Sequence, residues 1–151
     1  AIVVSVPMIG DTDIKPGDTV IVHHNVFRRW HNQSGVEKNS KSYFNEKTYL
    51  VALDQVFLYK RKNKWLTPKG YCFVKPLKAI DKFNLELEKP LQGIVEYSDG
   101  TVKIGDLIGF APGSEYEFII DGKKLYRVLS NLITIKYEYQ GNEETYNPSW
   151  A

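Results

Sequence analysis

Only one cysteine, one methionine and three histidines occur in 151 residues, and no long apolar run is present. The lone thiol, Cys72, cannot close an internal disulfide, so a reducing compartment is allowed, and its neighbours Tyr71 and Phe73 suggest a small residue in a buried strand. No apolar stretch reaches the ~18 residues of a membrane span, and the opening "AIVVSVPMIG" is too short and lacks the basic flank of a signal peptide. A soluble protein is expected. The chain opens on Ala1 rather than Met, as expected of a trimmed chain, a fragment or the product of a precursor. Twenty basic and 18 acidic residues leave a formal charge of +2, too weak a field to demand nucleic acid or acidic lipid. Helical periodicity is missing as well, and the best candidate, Ser130 to Leu132, is a single turn.

What the sequence does contain is strand. With 42% apolar and 13% aromatic residues there is material for a core, and it alternates with polar residues over short runs. These runs are Ile2 to Val6, Val20 to Val22, Leu50 to Tyr59, Tyr71 to Phe73, Ile94 to Tyr97, Leu107 to Phe110, Tyr116 to Ile120, Tyr126 to Val128 and Leu132 to Tyr139. Turn residues separate them, as at Pro16-Gly17-Asp18, Ser98-Asp99-Gly100 and Asp121-Gly122. Period-two runs rich in Val, Ile, Tyr and Phe, set apart by tight turns, predict an all-β chain of small barrels or sandwiches.

Two phrases recur in order. "IKPGDTV" from Ile14 lies 88 residues before "VKIGDLI" from Val102, and "KTYLVALDQVFLYK" from Lys47 lies 77 residues before "KLYRVLSNLITIKY" from Lys124. The unequal offsets mean that the first copy carries about 11 extra residues, which fall in "HHNVFRRWHNQSGVEKNSKS" and predict an extended surface loop over 23–42. A strand, "KGYCFVKPL", stands before Ile94 but nothing stands before Ile2 except Ala1. The first copy therefore begins one strand late, and either upstream residues or another chain is expected to fill that edge. The predicted organisation is a partial barrel over 1–62, a second barrel over 63–140 and a tail over 141–151, joined through a basic connector at Lys60 to Gly70.

Residues 69–138 resemble the GroES-type co-chaperonin family, and Ile2 to Arg61 resemble it in part. "YCFVKPL" stands where the family has a first strand like RVLVKPL, "QGIV" for its G-x-V strand, "VKIGDLIGF" for VKxGDxVxF, and "FIIDGKKLYRVLSNLITIKYE" for its closing run. The resemblance implies tandem GroES-like barrels, the first without its initial strand, assembling as a homo-oligomer through terminal strands. It also implies that the loop after the first strand, here Ala79 to Pro90, docks an apolar segment on a chaperonin ring. Phe83, Leu85 and Leu87 alternate there with polar residues, a pattern suited to lying along a partner's groove or sheet edge; the alternative is that they form a covering strand of the barrel. That loop is about half the family's usual length, and only Ser98 to Thr101 stands where the family has a roof hairpin. A roofless form resembles the bacteriophage versions, which implies a bacterial or phage-infected cytoplasm, or a virion.

Other candidates have plainer readings. His23, His24 and His31 are possible metal ligands by type, but neighbours on a strand face opposite ways, so no metal site is expected. No nucleophile elbow or dinucleotide fingerprint is present, so no catalytic or cofactor-binding residue is expected. "FRRWH" and "KRKNKW" interleave cations with indoles; the expected reading is a solvated surface loop and a charged linker, and the alternatives are nucleic-acid contact or, through Phe27 and Trp30, protein docking. The tail "GNEETYNPSWA" is expected to be disordered or strapped onto a neighbour. The leading expectation is a non-enzymatic co-chaperonin-like assembly protein. The rivals are a structural component of a phage particle and a nucleic-acid-binding barrel whose binding would be salt-sensitive.

Overall fold

The computed structural model describes residues 1–79, 83 and 87–151 as two compact units, Ala1–Pro68 and Lys69–Ala151, with no α-helix among the described residues. The chain is all-β, in antiparallel sheets.

In the first unit the strands are β1 (Thr19–Val22), β2 (Arg29–His31), β3 (Glu37–Asn39), β4 (Tyr43–Asn45), β5 (Thr48–Tyr49), β6 (Val56–Arg61) and β7 (Lys64–Leu66). They form a sheet in the order β1-β6-β7 and two hairpins, β2-β3 and β4-β5. The second unit is one six-stranded sheet, β11-β12-β8-β9-β10-β13. Its strands are β8 (Tyr71–Lys78), β9 (Glu88–Tyr97), β10 (Leu107–Phe110), β11 (Glu115–Ile120), β12 (Lys123–Leu129) and β13 (Ile133–Tyr137).

The two Gly-Asp phrases build the same turn. Gly17 and Gly105 share φ +91°, a left-handed conformation that disfavours a side chain. The Gly17 amide donates to the Val3 carbonyl at 2.8 Å, and the Gly105 amide donates to Val95 at 2.8 Å. Val3 donates back to Asp18 and Val95 back to Asp106, each at 2.9 Å. Each carboxylate also accepts from the amide three residues before it, Lys15 at 2.8 Å and Lys103 at 3.1 Å. The following ladders agree residue for residue. Val20 faces Tyr59 as Ile108 faces Lys136, Val22 faces Val56 as Phe110 faces Ile133, and the register slips at the same step in both. A 3₁₀ turn precedes each partner strand, Leu53–Gln55 and Ser130–Leu132.

The cores match in the same way. Ile14, Val20 and Val56 pack with Val3, Val22 and Val51; their counterparts Val102, Ile108, Ile133, Val95, Phe110 and Val128 pack together in the second unit.

Each turn aspartate takes a cation from the partner strand. Arg61 holds Asp18 through two nitrogens, at 3.0 and 2.6 Å, and Lys136 reaches Asp106 at 2.9 Å. Arg61 is the main reason that Asp18 lies below its ordinary value of 3.8, and Lys136 the main reason for Asp106. A carboxylate lowered on folding stabilises the fold above its unfolded value, and that stabilisation is lost as pH falls through the lower folded value. Urea midpoints are therefore expected to drop as pH falls below 3.8, and Asp106→Asn should flatten this dependence in the second unit.

Several expectations are corrected. Ile2 to Val6 is no strand: only Ile2 bridges to Thr19, because nothing pairs along the segment's other side among the described residues. Residues 23–42 are not an open loop but a 3₁₀ turn (His24–Phe27) and the β2-β3 hairpin, anchored by fully buried Val26. His23 and His24 do not face apart: β1 ends at Val22, the chain turns, and their rings stack at 4.4 Å. The expected connector at Lys60 to Gly70 is largely the β6-β7 hairpin, so 63–66 belong with the first unit and the division falls after Pro68. The tail is ordered on its own unit. Thr145 bridges Leu77, the Tyr146 amide donates to Pro76 at 2.8 Å, and Pro148 is buried.

Candidate docking site

The link between β8 and β9 begins and ends on a closed base. β8 runs on to Lys78, past a register slip after Pro76, and Lys78 pairs with Glu88 at the start of β9, while the Ala79 amide donates to the Leu87 carbonyl at 2.8 Å. The tail closes the other edge of this base, where the Lys78 amide donates to Glu144 at 2.8 Å.

Beneath it lies a cation held by two acids and three rings. The Lys124 ammonium donates to Glu88, lies 3.5 Å from Glu117, and sits 5.2 to 5.8 Å from the ring centres of Tyr126, Tyr146 and Trp150. Tyr126 donates its hydroxyl to Glu88 at 2.7 Å. Burial, the largest single influence, pushes Lys124 down, but the hydrogen bonds and charge attraction of Glu88 and Tyr126 together outweigh it, and the group ends well above its ordinary 10.5. Its stabilisation is therefore fully present below 10.5 and lost only as pH rises through the higher folded value. Because Lys124 fastens the tail rings to the β8-β9 base, Lys124→Met is expected to raise amide exchange at Lys78 and Tyr146, whose amides bond across the tail bridge, about tenfold while β9 stays protected.

Phe83 is 99% exposed, so it contributes nothing to the core, and Leu87 is exposed just before β9 begins. Leu85 lies outside the described residues. Phe27 and Trp30 belong to the first unit. Phe27 is partly exposed and packs edge-on against Tyr49 at 4.8 Å; Trp30 lines a shallow groove of about 350 Å³ with Arg28, Lys41, Asn25 and Gln55. The sequence did not point to this groove, because its lining brings together the two ends of the 23–42 segment, from Asn25 to Trp30 and from Ser40 to Ser42, with Gln55 from beyond it. Trp65 is engaged locally, with the Lys60 ammonium 5.2 Å from its ring.

At the opposite end of β8, Asp99 joins three elements. It accepts from the Gly70 amide at 2.9 Å, the Thr101 amide at 3.0 Å and the Ser130 hydroxyl at 2.8 Å. Burial pushes its carboxyl up, but these hydrogen bonds, led by Thr101, carry it below 3.8. Cys72 is fully buried beside this cluster, 3.3 Å from the Ser130 hydroxyl. Among the described residues no group of three or more His, Cys, Asp or Glu side chains could hold a metal ion, and no helix is long and apolar enough to cross a membrane. Comparison with family models, curated proteins and solved structures finds no match for the chain.

Proposed function

We propose that the chain is a non-enzymatic assembly protein of the co-chaperonin type. In this reading it comprises two tandem small barrels, the first short of its initial strand, and docks on a chaperonin ring through Ala79 to Pro90. The observation that carries this reading is Phe83: a large apolar side chain 99% exposed, on a link whose two ends are fastened together. Exposed aromatics on such links are costly to keep in water unless a partner covers them. Leu87 adds a second apolar contact on the same link. Phe27 and Trp30 offer a further partner surface on the first unit. A bacterial or phage-infected cytoplasm and a homo-oligomeric state accompany this reading.

The test is binding to a purified chaperonin ring with ADP or ATP. Wild-type protein should bind only with nucleotide, and Phe83→Asp should weaken binding by about 30-fold, roughly 2 kcal/mol for a lost aromatic anchor, with an unchanged circular dichroism spectrum. Unchanged binding by Phe83→Asp would remove the link from the interface.

A second reading, a structural component of a phage particle, is favoured by the order of the insertion and the tail. The β2-β3 hairpin is anchored by Val26, and Tyr146 and Trp150 are fixed around Lys124. It requires stable incorporation into particles without nucleotide.

A further inference from the structure

The net charge of +2 hides an imbalance between the units. The first carries ten basic and six acidic residues, the second ten and twelve. The excess gathers in the stretch after β1: 23–46 hold four bases and two acids, whereas the matching stretch after β10, 111–123, holds one base and three acids. The same ladders form in the second unit without these cations, so the frame does not need them.

The β2-β3 hairpin sorts its charges by face. Its register sets Trp30 opposite Lys38 and His31 opposite Glu37. Alternation therefore puts Arg28, Trp30 and Lys38 on one face and Arg29 and Glu37 on the other, where these two pair at 3.7 Å. The turn before the hairpin shapes a groove on the first face. Val26 is fully buried, the Arg28 amide donates to the Asn25 carbonyl at 3.3 Å, and the Ser40 hydroxyl donates to the Val26 carbonyl at 2.5 Å. Lys41 is thereby returned to line the same groove as Arg28 and Trp30. The indole stands 47% exposed there, and no carboxylate lines the groove among the described residues. The Gln55 side-chain oxygen accepts from the Ala52 amide at 3.2 Å, so its nitrogen is the atom it has left to offer, as a donor.

We propose that this groove seats a nucleotide unit, its base against the Trp30 ring and its phosphate on Arg28 and Lys41. An indole face stacks on any base, and two cations with no acid beside them select an anion. A volume of about 350 Å³ lies at the low end of small-molecule sites, ~300–1,000 Å³, and suits one such unit. A neutral sugar fits poorly, because its hydroxyls donate as well as accept and the lining is weighted to donors. An acidic peptide would satisfy the cations but leave the indole without a planar partner. The unit comes either as a free nucleotide or within a single strand. The site stands apart from chaperonin docking through 79–90, which uses the other unit, and names the occupant of the Trp30 surface.

The probe is a fluorescein-labelled oligothymidylate of about eight nucleotides, added to the full chain and read by anisotropy over a range of salt concentrations. Saturable binding is expected. Trp30→Ala should weaken it about tenfold, and Trp30→Phe, which keeps a stacking ring, by less than about threefold. Lys41→Gln should lower the slope of log affinity against log salt by about 0.7, the share of one phosphate, and Lys64→Gln on β7 should leave that slope unchanged. Trp30, Lys41 and Lys64 are all exposed, so each variant should keep the circular dichroism of the wild type. Displacement of the probe by thymidine monophosphate identifies a free nucleotide as sufficient; displacement by unlabelled strand alone identifies the strand as the source. The proposal is overturned if no probe binds, if Trp30→Ala binds as the wild type does, or if Lys64→Gln costs as much as Lys41→Gln. Polyglutamate displacing the probe as well as unlabelled strand does would make the occupant an acidic protein and overturn it too.

Discussion

Phe73→Ala is expected to destabilise the second unit by about 3–5 kcal/mol, enough to unfold much of a domain of this size, while leaving the first unit nearly untouched. Phe73 is the largest fully buried side chain in the protein's described residues. It lies on β8, pairs with Arg127 and Tyr97, and meets the rings of Tyr97 and Phe118 edge-on at 6.3 and 5.5 Å. Truncation leaves a cavity that the two flanking strands cannot close without breaking their ladders. Trp30 and Trp65 report on the first unit and Trp150 on the second, so single-tryptophan variants followed in urea separate the two transitions. The Trp150 midpoint should fall sharply and the others should hold; a loss below about 1 kcal/mol would mean that β8 is not central to its unit.

Gly93→Val is expected to cost about 3 kcal/mol by overpacking. The cause is space rather than backbone conformation: a Cβ at Gly93 would lie 2.8 Å from the Lys75 carbonyl oxygen and 2.9 Å from Val74 Cβ. Backbone cannot swing aside as a side-chain tip can, so β8 and β9 must part where their register already slips, between Pro76 and Lys78. Gly109 is the internal comparison. There an added Cβ would meet the Ile135 and Tyr137 side chains, at 2.8 and 3.0 Å, which can rotate. Gly109→Ala should therefore cost about 1 kcal/mol, and urea denaturation of both variants by Trp150 fluorescence checks the order. Equal losses would indicate that the β8-β9 approach is looser than these distances.

The duplication was legible because it rests on residues with few substitutes. Glycine at Gly17 and Gly105 permits the left-handed turn, aspartate closes it, and the alternation after each fixes which face turns inward. The unequal offsets of 88 and 77 residues carry through to the paired ladders without a change of register. The β2-β3 hairpin was not legible because all its residues are exposed, so no period-two pattern marks it. The β6-β7 hairpin had a signal that charge obscured. Lys62 and Asn63 both take positive φ, 49° and 63°, as a two-residue turn between paired strands requires, and Asn63 is a residue that tolerates this. Of the candidate site, alternation singled out Phe83 and Leu87, but not the closed base beneath them. That base depends on Lys124 meeting a tail about 20 residues further along, which no local pattern encodes.

The central claim is that one β unit was built twice, its Gly-Asp turn and following ladder repeated, and that among the described residues the first copy pairs no strand where β8 lies in the second. Residue-resolved amide exchange of the free chain tests it most directly. The Gly17 and Gly105 amides, each bonded to an equivalent carbonyl, should both be slowed, while Thr48 and Tyr49 on β5 should exchange about a hundredfold faster than Leu125 and Tyr126 on β12. Protection of Gly105 with free exchange at Gly17, or a β5 as slow as β12, would contradict it.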